Sequence, residues 1–168
     1  MHKRSQHAFS LAEQMLTLAL ISIACGIALP SLSAAVQKNQ SEALRDRLQA
    51  SLHAARTYAV VHRSPVEICA SQNGTQCSSN WDDGWMTRLS KSPNNLIERH
   101  QILQDTQLNW HGFGSNVRFL ANGTSPASAG KFYQCHEGIV LWQLVINRQG
   151  RVRPGTIAEN QALSTRCL

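Results

Sequence analysis

Acidic residues are scarce in this chain. Ten Asp and Glu stand against sixteen Lys and Arg, which gives a formal net charge of +6 and a pI near 9.4 and turns attention to anionic partners, nucleic acid or a lipid surface. Catalytic signatures are missing as well. There is no G-x-S-x-G elbow, no H-E-x-x-H pair and no glycine-rich phosphate loop, and the seven histidines are scattered without ligand spacing. Nothing therefore nominates an enzyme, a cofactor or a resident metal. No close C-x-x-C pair is present, which weighs against zinc, and the chain has neither an internal repeat nor a block of like charge. What is present is an ordinary globular balance, 42% hydrophobic and 15% charged over 168 residues, enough for one domain with a short appendage.

The appendage is N-terminal. His2, Lys3, Arg4 and His7 precede an apolar run over 9–29 that is interrupted near its start by Glu13. A cleaved secretory signal, with Ser33-Ala34-Ala35 as its processing site, and a plain membrane anchor both fit the run. Neither accounts for Glu13, because an ionised carboxylate in hydrocarbon is unfavourable by several kcal/mol without a partner. Beyond Pro30 the period stays helical: Leu44, Leu48, Leu52, Ala55 and Ala59 recur every three or four residues. The spacing predicts one long helix over 9–61 that stops before Ser64-Pro65, with Arg45, Arg47, Arg56 and Arg63 on a solvated face.

From Pro65 the period becomes two. Strands are expected at 66–70, 85–89, 96–102, 117–120, 131–135, 139–147 and 151–153, punctuated by Asn73-Gly74, Asp83-Gly84, Asn122-Gly123 and Gln149-Gly150. The small, polar stretch 121–130 reads as an exposed loop and the least ordered part. Trp81 and Trp85 read as aromatic anchors around a turn capped by Asp82 and Asp83, a metal site on the two aspartates being the weaker reading.

Two groups of residues carry a resemblance. Ala8-Phe9-Ser10-Leu11-Ala12-Glu13 is similar to the processing site of type IV pilins and pseudopilins, although that family more often has Gly before the cut. Arg63-Ser64-Pro65-Val66-Glu67-Ile68-Cys69, Trp81-Asp82-Asp83-Gly84-Trp85, Val117-Arg118-Phe119 with Asn122-Gly123, and Val145-Ile146-Asn147 with Gly150-Arg151-Val152-Arg153 resemble its GspH/FimT branch. The resemblance implies the α+β type IV pilin fold, a long N-terminal helix packed on an antiparallel sheet domain. It also implies a leader peptide over 1–8, a transmembrane and filament-core helix over 9–30, its amphipathic continuation over 31–63 and a periplasmic β-rich domain over 64–168. A prepilin peptidase would cut after Ala8, and Phe9 would become a methylated N-terminus that Glu13 of a neighbouring pilin can meet. The subunit would reside in the inner membrane before joining a surface filament with other major and minor pilins, and Pro30 would kink the helix.

Cysteine usage suits an exported domain. Cys69 and Cys77 flank an Asn-Gly turn and make a natural local disulfide, while Cys135 and Cys167 could tie the C-terminus to the sheet; four cysteines still allow three pairings. Cys25, within the apolar helix, reads as an unpaired small hydrophobe.

The last signal is "NRQGRVRPG", residues 147–155. Asn147 to Gly150 reads as the tight turn of a hairpin, after which Arg151 and Arg153 share one face and Val152 takes the other. Guanidiniums suit bidentate contact with phosphates. After Trp110 six cations, Arg118, Lys131, Arg148, Arg151, Arg153 and Arg166, oppose only Glu137 and Glu159. On composition alone this is an edge kept soluble by arginines. The G-R-x-R pattern, here Gly150-Arg151-Val152-Arg153, is similar to the segment by which FimT-type minor pilins bind DNA in natural transformation. That resemblance implies sequence-independent DNA binding through Arg148, Gly150, Arg151 and Arg153, helped by Lys131 and Arg166. The competing reading is a structural minor pilin or a type II secretion pseudopilin that primes or tips a filament without touching DNA.

Overall fold

The computed structural model describes residues 10–102 and 106–167, without the side chains of Cys25, residues 27–30 and Pro93. The expected leader, with Ala8 and Phe9, lies outside the described residues, as do the side chains of Cys25 and Pro30 to which packing and kinking roles were assigned. Helix α1 is Leu11–Val61. The chain divides into two compact units, Met1–Gln40 and Ser41–Leu168.

In the first unit every described side chain is exposed, including Leu11, Met15, Leu16, Leu18, Leu20, Ile21 and Ile23. Glu13 sits in the first turn of α1. The hydroxyls of Thr17 and Ser22 donate to the carbonyls of Gln14 and Ala19 at 2.9 and 2.8 Å, so both are satisfied within the helix. Among the described residues no helix is long and apolar enough to cross a membrane.

The second unit begins with the rest of α1, whose Leu48, Leu52, Ala55 and Ala59 are buried in register with the stripe read from the sequence. The helix stops where Arg63 turns left-handed at φ 47°, while the Ser64 N–H reaches back to the Ala59 carbonyl and the Arg63 N–H to that of Val60. This is a Schellman stop with a non-glycine residue in the left-handed position, and Pro65 keeps the chain from resuming the helix.

Two antiparallel sheets follow. The first holds β1 (Val66–Ala70), β2 (Gly84–Leu89), β3 (Ser92–Gln101) and β5 (Asn116–Phe119) in the order β3-β2-β1-β5. The second holds β4 (Leu108–Gly112), β6 (Gly130–His136), β7 (Ile139–Ile146) and β8 (Val152–Pro154) in the order β4-β6-β7-β8. One core joins helix and sheets: Leu48, Leu52, Ile68, Trp85, Phe119, Phe132, Leu144 and Ile146 are all almost fully buried in it. Side chains of this kind contribute roughly 1.5–3 kcal/mol each on burial. A buried polar contact fixes the register of helix against sheet, because the Gln134 side-chain carbonyl accepts from Ser41 Oγ and from the Trp142 indole N–H, both at 2.7 Å.

Several expectations change. Strand β4 and helix α2 (Ile157–Leu163) add to the expected elements, and α2 lies on the outer side of the second sheet and buries Leu163 with Tyr133, Cys135 and Val140. Strand β3 starts at Ser92 rather than 96. Residues 121–129 form a loop without regular structure, and Gly130, expected in that loop, opens β6; the loop is tightly bonded: Ser125 and Ser128 are buried, Ser125 Oγ donates to the Arg118 carbonyl at 2.8 Å, and Ser128 Oγ accepts the Arg118 N–H at 3.0 Å. Small polar residues there supply hydrogen bonds rather than disorder. Trp81 and Trp85 are buried anchors, and Asp82 accepts the Leu108 N–H and, at 3.1 Å, the Thr106 hydroxyl, so it holds the approach to β4. Disulfides join Cys69 to Cys77 and Cys135 to Cys167.

Candidate nucleic-acid interface

The hairpin of β7 and β8 is built by its turn residues. The Gly150 N–H donates to the Asn147 carbonyl at 2.9 Å, the Asn147 N–H to the Arg151 carbonyl at 3.2 Å, and the Arg151 N–H to Asn147 Oδ1 at 2.9 Å. Arg148, Gln149 and Gly150 thus form a three-residue loop that closes on a left-handed glycine, φ 74°. Gly150 is required twice over, since a Cβ there would also sit 2.2 Å from the Gly123 carbonyl oxygen. It is buried, so its part in the site is to shape the turn, not to offer a contact surface.

Arg56 of α1 braces this turn. Its Nε donates to the Gly123 carbonyl at 2.9 Å and one Nη to the Gln149 carbonyl at 3.2 Å. The solvated face expected for Arg56 is therefore wrong at this residue: the guanidinium joins two loops that meet at the helix. With its backbone fixed in this way, the hairpin tip displays Arg148 and Arg151 as exposed side chains, and among the described residues neither meets a carboxylate.

Arg153 is different. Its two terminal nitrogens donate to the two oxygens of Glu159 at 2.7 and 2.9 Å. The pair is held by the start of α2: Thr156 caps the helix through a 3.2 Å bond from the Glu159 N–H, and Glu159 returns a bond to the Thr156 N–H at 2.8 Å. The hydrogen bond from Arg153, then that from the Thr156 backbone, lowers the Glu159 pKa to about 2, and Glu159 in turn raises that of Arg153. Of the three hairpin arginines, one is already engaged.

Lys131 lies in β6 opposite His111 of β4 on one side and Val145 of β7 on the other, and Val145 is opposite Arg153 of β8. Residues directly opposed in a sheet share a face, so His111, Lys131, Val145 and Arg153 form one outward row. Arg166 reaches the β4 end of that row, with an Nη 3.4 Å from His111 Nδ1. The Cys135–Cys167 bond holds its segment there. The fold thus brings Lys131, Arg153 and Arg166 to one face and places Arg148 and Arg151 at its tip. Arg118 belongs to β5 in the other sheet. The strands of the second sheet contain no Asp or Glu.

Sequence reasoning missed Glu159, His111 and Arg56. Thr156-x-x-Glu159 is a capping-box signature and could have located α2 and its carboxylate; nothing local marks His111 or Arg56. Among the described residues no cluster of three His, Cys, Asp or Glu could hold a metal ion.

The family model for the type II transport protein GspH matches residues 32–150. No curated protein matches the chain in sequence. Two crystal structures of the type IV minor pilin FimU of Pseudomonas aeruginosa share the fold at 24% identity. One has a TM-score of 0.56 over 70% of this chain and 90% of FimU, the other 0.53 over 68% and 92%.

Proposed function

The chain belongs to the GspH family of type II transport proteins, and from that premise we propose that it is a minor pilin that binds DNA through the phosphate backbone, without reading sequence, during DNA uptake. One observation carries the reading: a braced, rigid hairpin tip exposes Arg148 and Arg151 without a carboxylate among the described residues to neutralise them. A solubilising edge needs charge but no such bracing. Lys131 and Arg166 extend the positive field over the adjoining face, while Arg153 contributes only when released from Glu159.

In this reading the precursor inserts with its basic leader in the cytoplasm. A prepilin peptidase cuts after Ala8, Phe9 is N-methylated, and Glu13 meets the new amine of a neighbouring pilin. The exposed apolar side chains of residues 11–23 then find cover first in the inner membrane and afterwards among other pilins in the filament. Both disulfides suit the periplasm and the cell surface.

A structural minor pilin or a type II secretion pseudopilin is the second reading, favoured by the Arg153–Glu159 pair, which makes one hairpin arginine part of the fold. Fluorescence anisotropy of the full chain in detergent, with unrelated duplexes at several salt concentrations, separates the two. DNA binding predicts sequence-indifferent affinity with a log-log salt slope of roughly −3, for three to four phosphates neutralised. An Arg148→Ala, Arg151→Ala double variant should lose most of that affinity at unchanged melting temperature. Absence of binding by the wild type, or equal binding by the variant, would leave the structural pilin.

A further inference from the structure

On the outward face of the second sheet, beside its cations, stands one large aromatic ring. Phe113 is 61% exposed and follows β4 directly. Its N–H donates to the Ala129 carbonyl at 3.2 Å, so the β4–β6 register, with His111 opposite Lys131 and Gly112 opposite Gly130, continues through it. Alternation puts Phe113 on the same side as His111 and Lys131, away from Trp110 and the core. The same continuation from Ile146 opposite Val152 places Arg151 in that next row on β8. From β4 to β8 is three interstrand spacings, roughly 14 Å.

The ring stands on a stiff base. Gly112 and Gly130 approach so closely that a Cβ on Gly130 would lie 2.6 Å from Gly112 Cα and from the Trp110 ring. The Trp110 indole N–H donates to the Gly114 carbonyl at 2.9 Å and ties down the turn after Phe113. Exposed phenylalanines are common singly. This one is flanked by Lys131, by Arg166 on His111 and, across the sheet, by Arg151, on strands that carry no carboxylate.

Cationic side chains around a fixed aromatic face are what an unpaired base and its neighbouring phosphates require: the ring stacks on the base while the cations follow the backbone. A duplex hides its base faces and gains only the charge term. We infer that Phe113 is a stacking platform and that this face binds single-stranded DNA in preference to duplex. The inference rests on the DNA-binding reading above and adds the form of DNA that the site takes.

The test compares an oligothymidylate with a duplex of mixed sequence on the full chain in detergent, using the wild type, Phe113→Ala, Phe113→Leu and Phe113→Trp. Wild type should bind the single strand more tightly. Phe113→Ala and Phe113→Leu should lose about tenfold on the single strand and stay within about twofold on duplex, and Phe113→Trp should restore single-strand affinity. Thermal melting controls for folding, which an exposed side chain should not disturb. Equal affinity of the wild type for both forms, or single-strand binding indifferent to Phe113→Leu, overturns the inference while leaving duplex binding in place. A Phe113→Ala defect in filament assembly with unchanged single-strand affinity overturns it too, by assigning the ring to a subunit contact. If the wild type binds neither form, the DNA-binding reading itself falls and this inference with it.

Discussion

The two sheets use charge in opposite ways. Strands of the first carry Glu67 and Glu98 together with Arg88, Arg99 and Arg118, and the chain spends several of these on structure. Arg88 lies 3.3 Å from the nearly buried Glu67 carboxylate, to which the Asn116 amide also donates, and Ser51 donates to Glu98 at 3.2 Å. Strands of the second sheet carry Lys131 and Arg153 and no carboxylate, and the one that reaches Arg153 comes from α2. A count of arginines cannot tell these uses apart. What decides is whether each guanidinium already has an anion and how far the pair is removed from water.

Replacing Cys135 and Cys167 by Ser opens the crosslink that holds α2 and Arg166 on the second sheet; with a sequence separation of 32 between the bonded positions, stability should fall by about 3–4 kcal/mol in denaturant titration. Arg88→Met leaves the Glu67 carboxylate with only a neutral donor in a buried site. A loss of about 3 kcal/mol is expected, recovered in large part by adding Glu67→Gln, and a small loss would show that the first sheet does not depend on its ion pair. Glu159→Gln should act on binding instead: with Arg153 released, DNA affinity rises severalfold and the salt slope steepens by about 0.9.

Acid should separate the sheets by pH. Burial and then the adjacent Arg47 hold the pKa of His100 in β3 below its usual value, so the stability tied to its neutral ring is present above pH 6.5 and lost as the pH falls. Glu159 is lowered from 4.5 to about 2, so its contribution is complete above pH 4.5 and lost as the pH falls through about 2. An NMR titration from neutral pH downward should therefore show the His100 ring responding while the Arg153–Glu159 pair stays closed to below pH 4. The smallest effect is expected for Arg151→Ala, within about 0.5 kcal/mol of wild-type stability. A larger loss would mean that this arginine also belongs to the fold.

Much of this was legible because it rests on local rules. The Leu44 to Ala59 stripe, the stop at Ser64-Pro65, the strand at 66–70 and the strand expected at 139–147, which ends one residue earlier at Ile146, follow from period and punctuation, and the cysteine pairs drawn from proximity are the pairs the structure has. Strand β4 escaped because Leu-Asn-Trp-His-Gly has no β-branched residue and includes Asn and Gly; the Asp82 carboxylate and the β6 edge make it a strand. The exposed arginines of the hairpin could be read from alternation, but the engagement of Arg153 could not be read without α2, and that of Arg56 depends on two loops distant in sequence meeting at the helix. Tertiary contacts of this kind leave no period behind.

The brace from Arg56 has a mechanical side. Strand β8 is three residues long and lies at a sheet edge, so a pull on Arg148 or Arg151 at the tip would by itself open its ladder one bond at a time, like a zipper. The bond from Arg56 to the Gln149 carbonyl, and that from the Ser125 N–H to the Arg148 carbonyl in the loop that Arg56 also holds at Gly123, lie in parallel with that ladder and lead the force into the helix. Tension on the tip is then shared by several bonds at once, and the joint yields at a higher load than its short edge strand could bear alone.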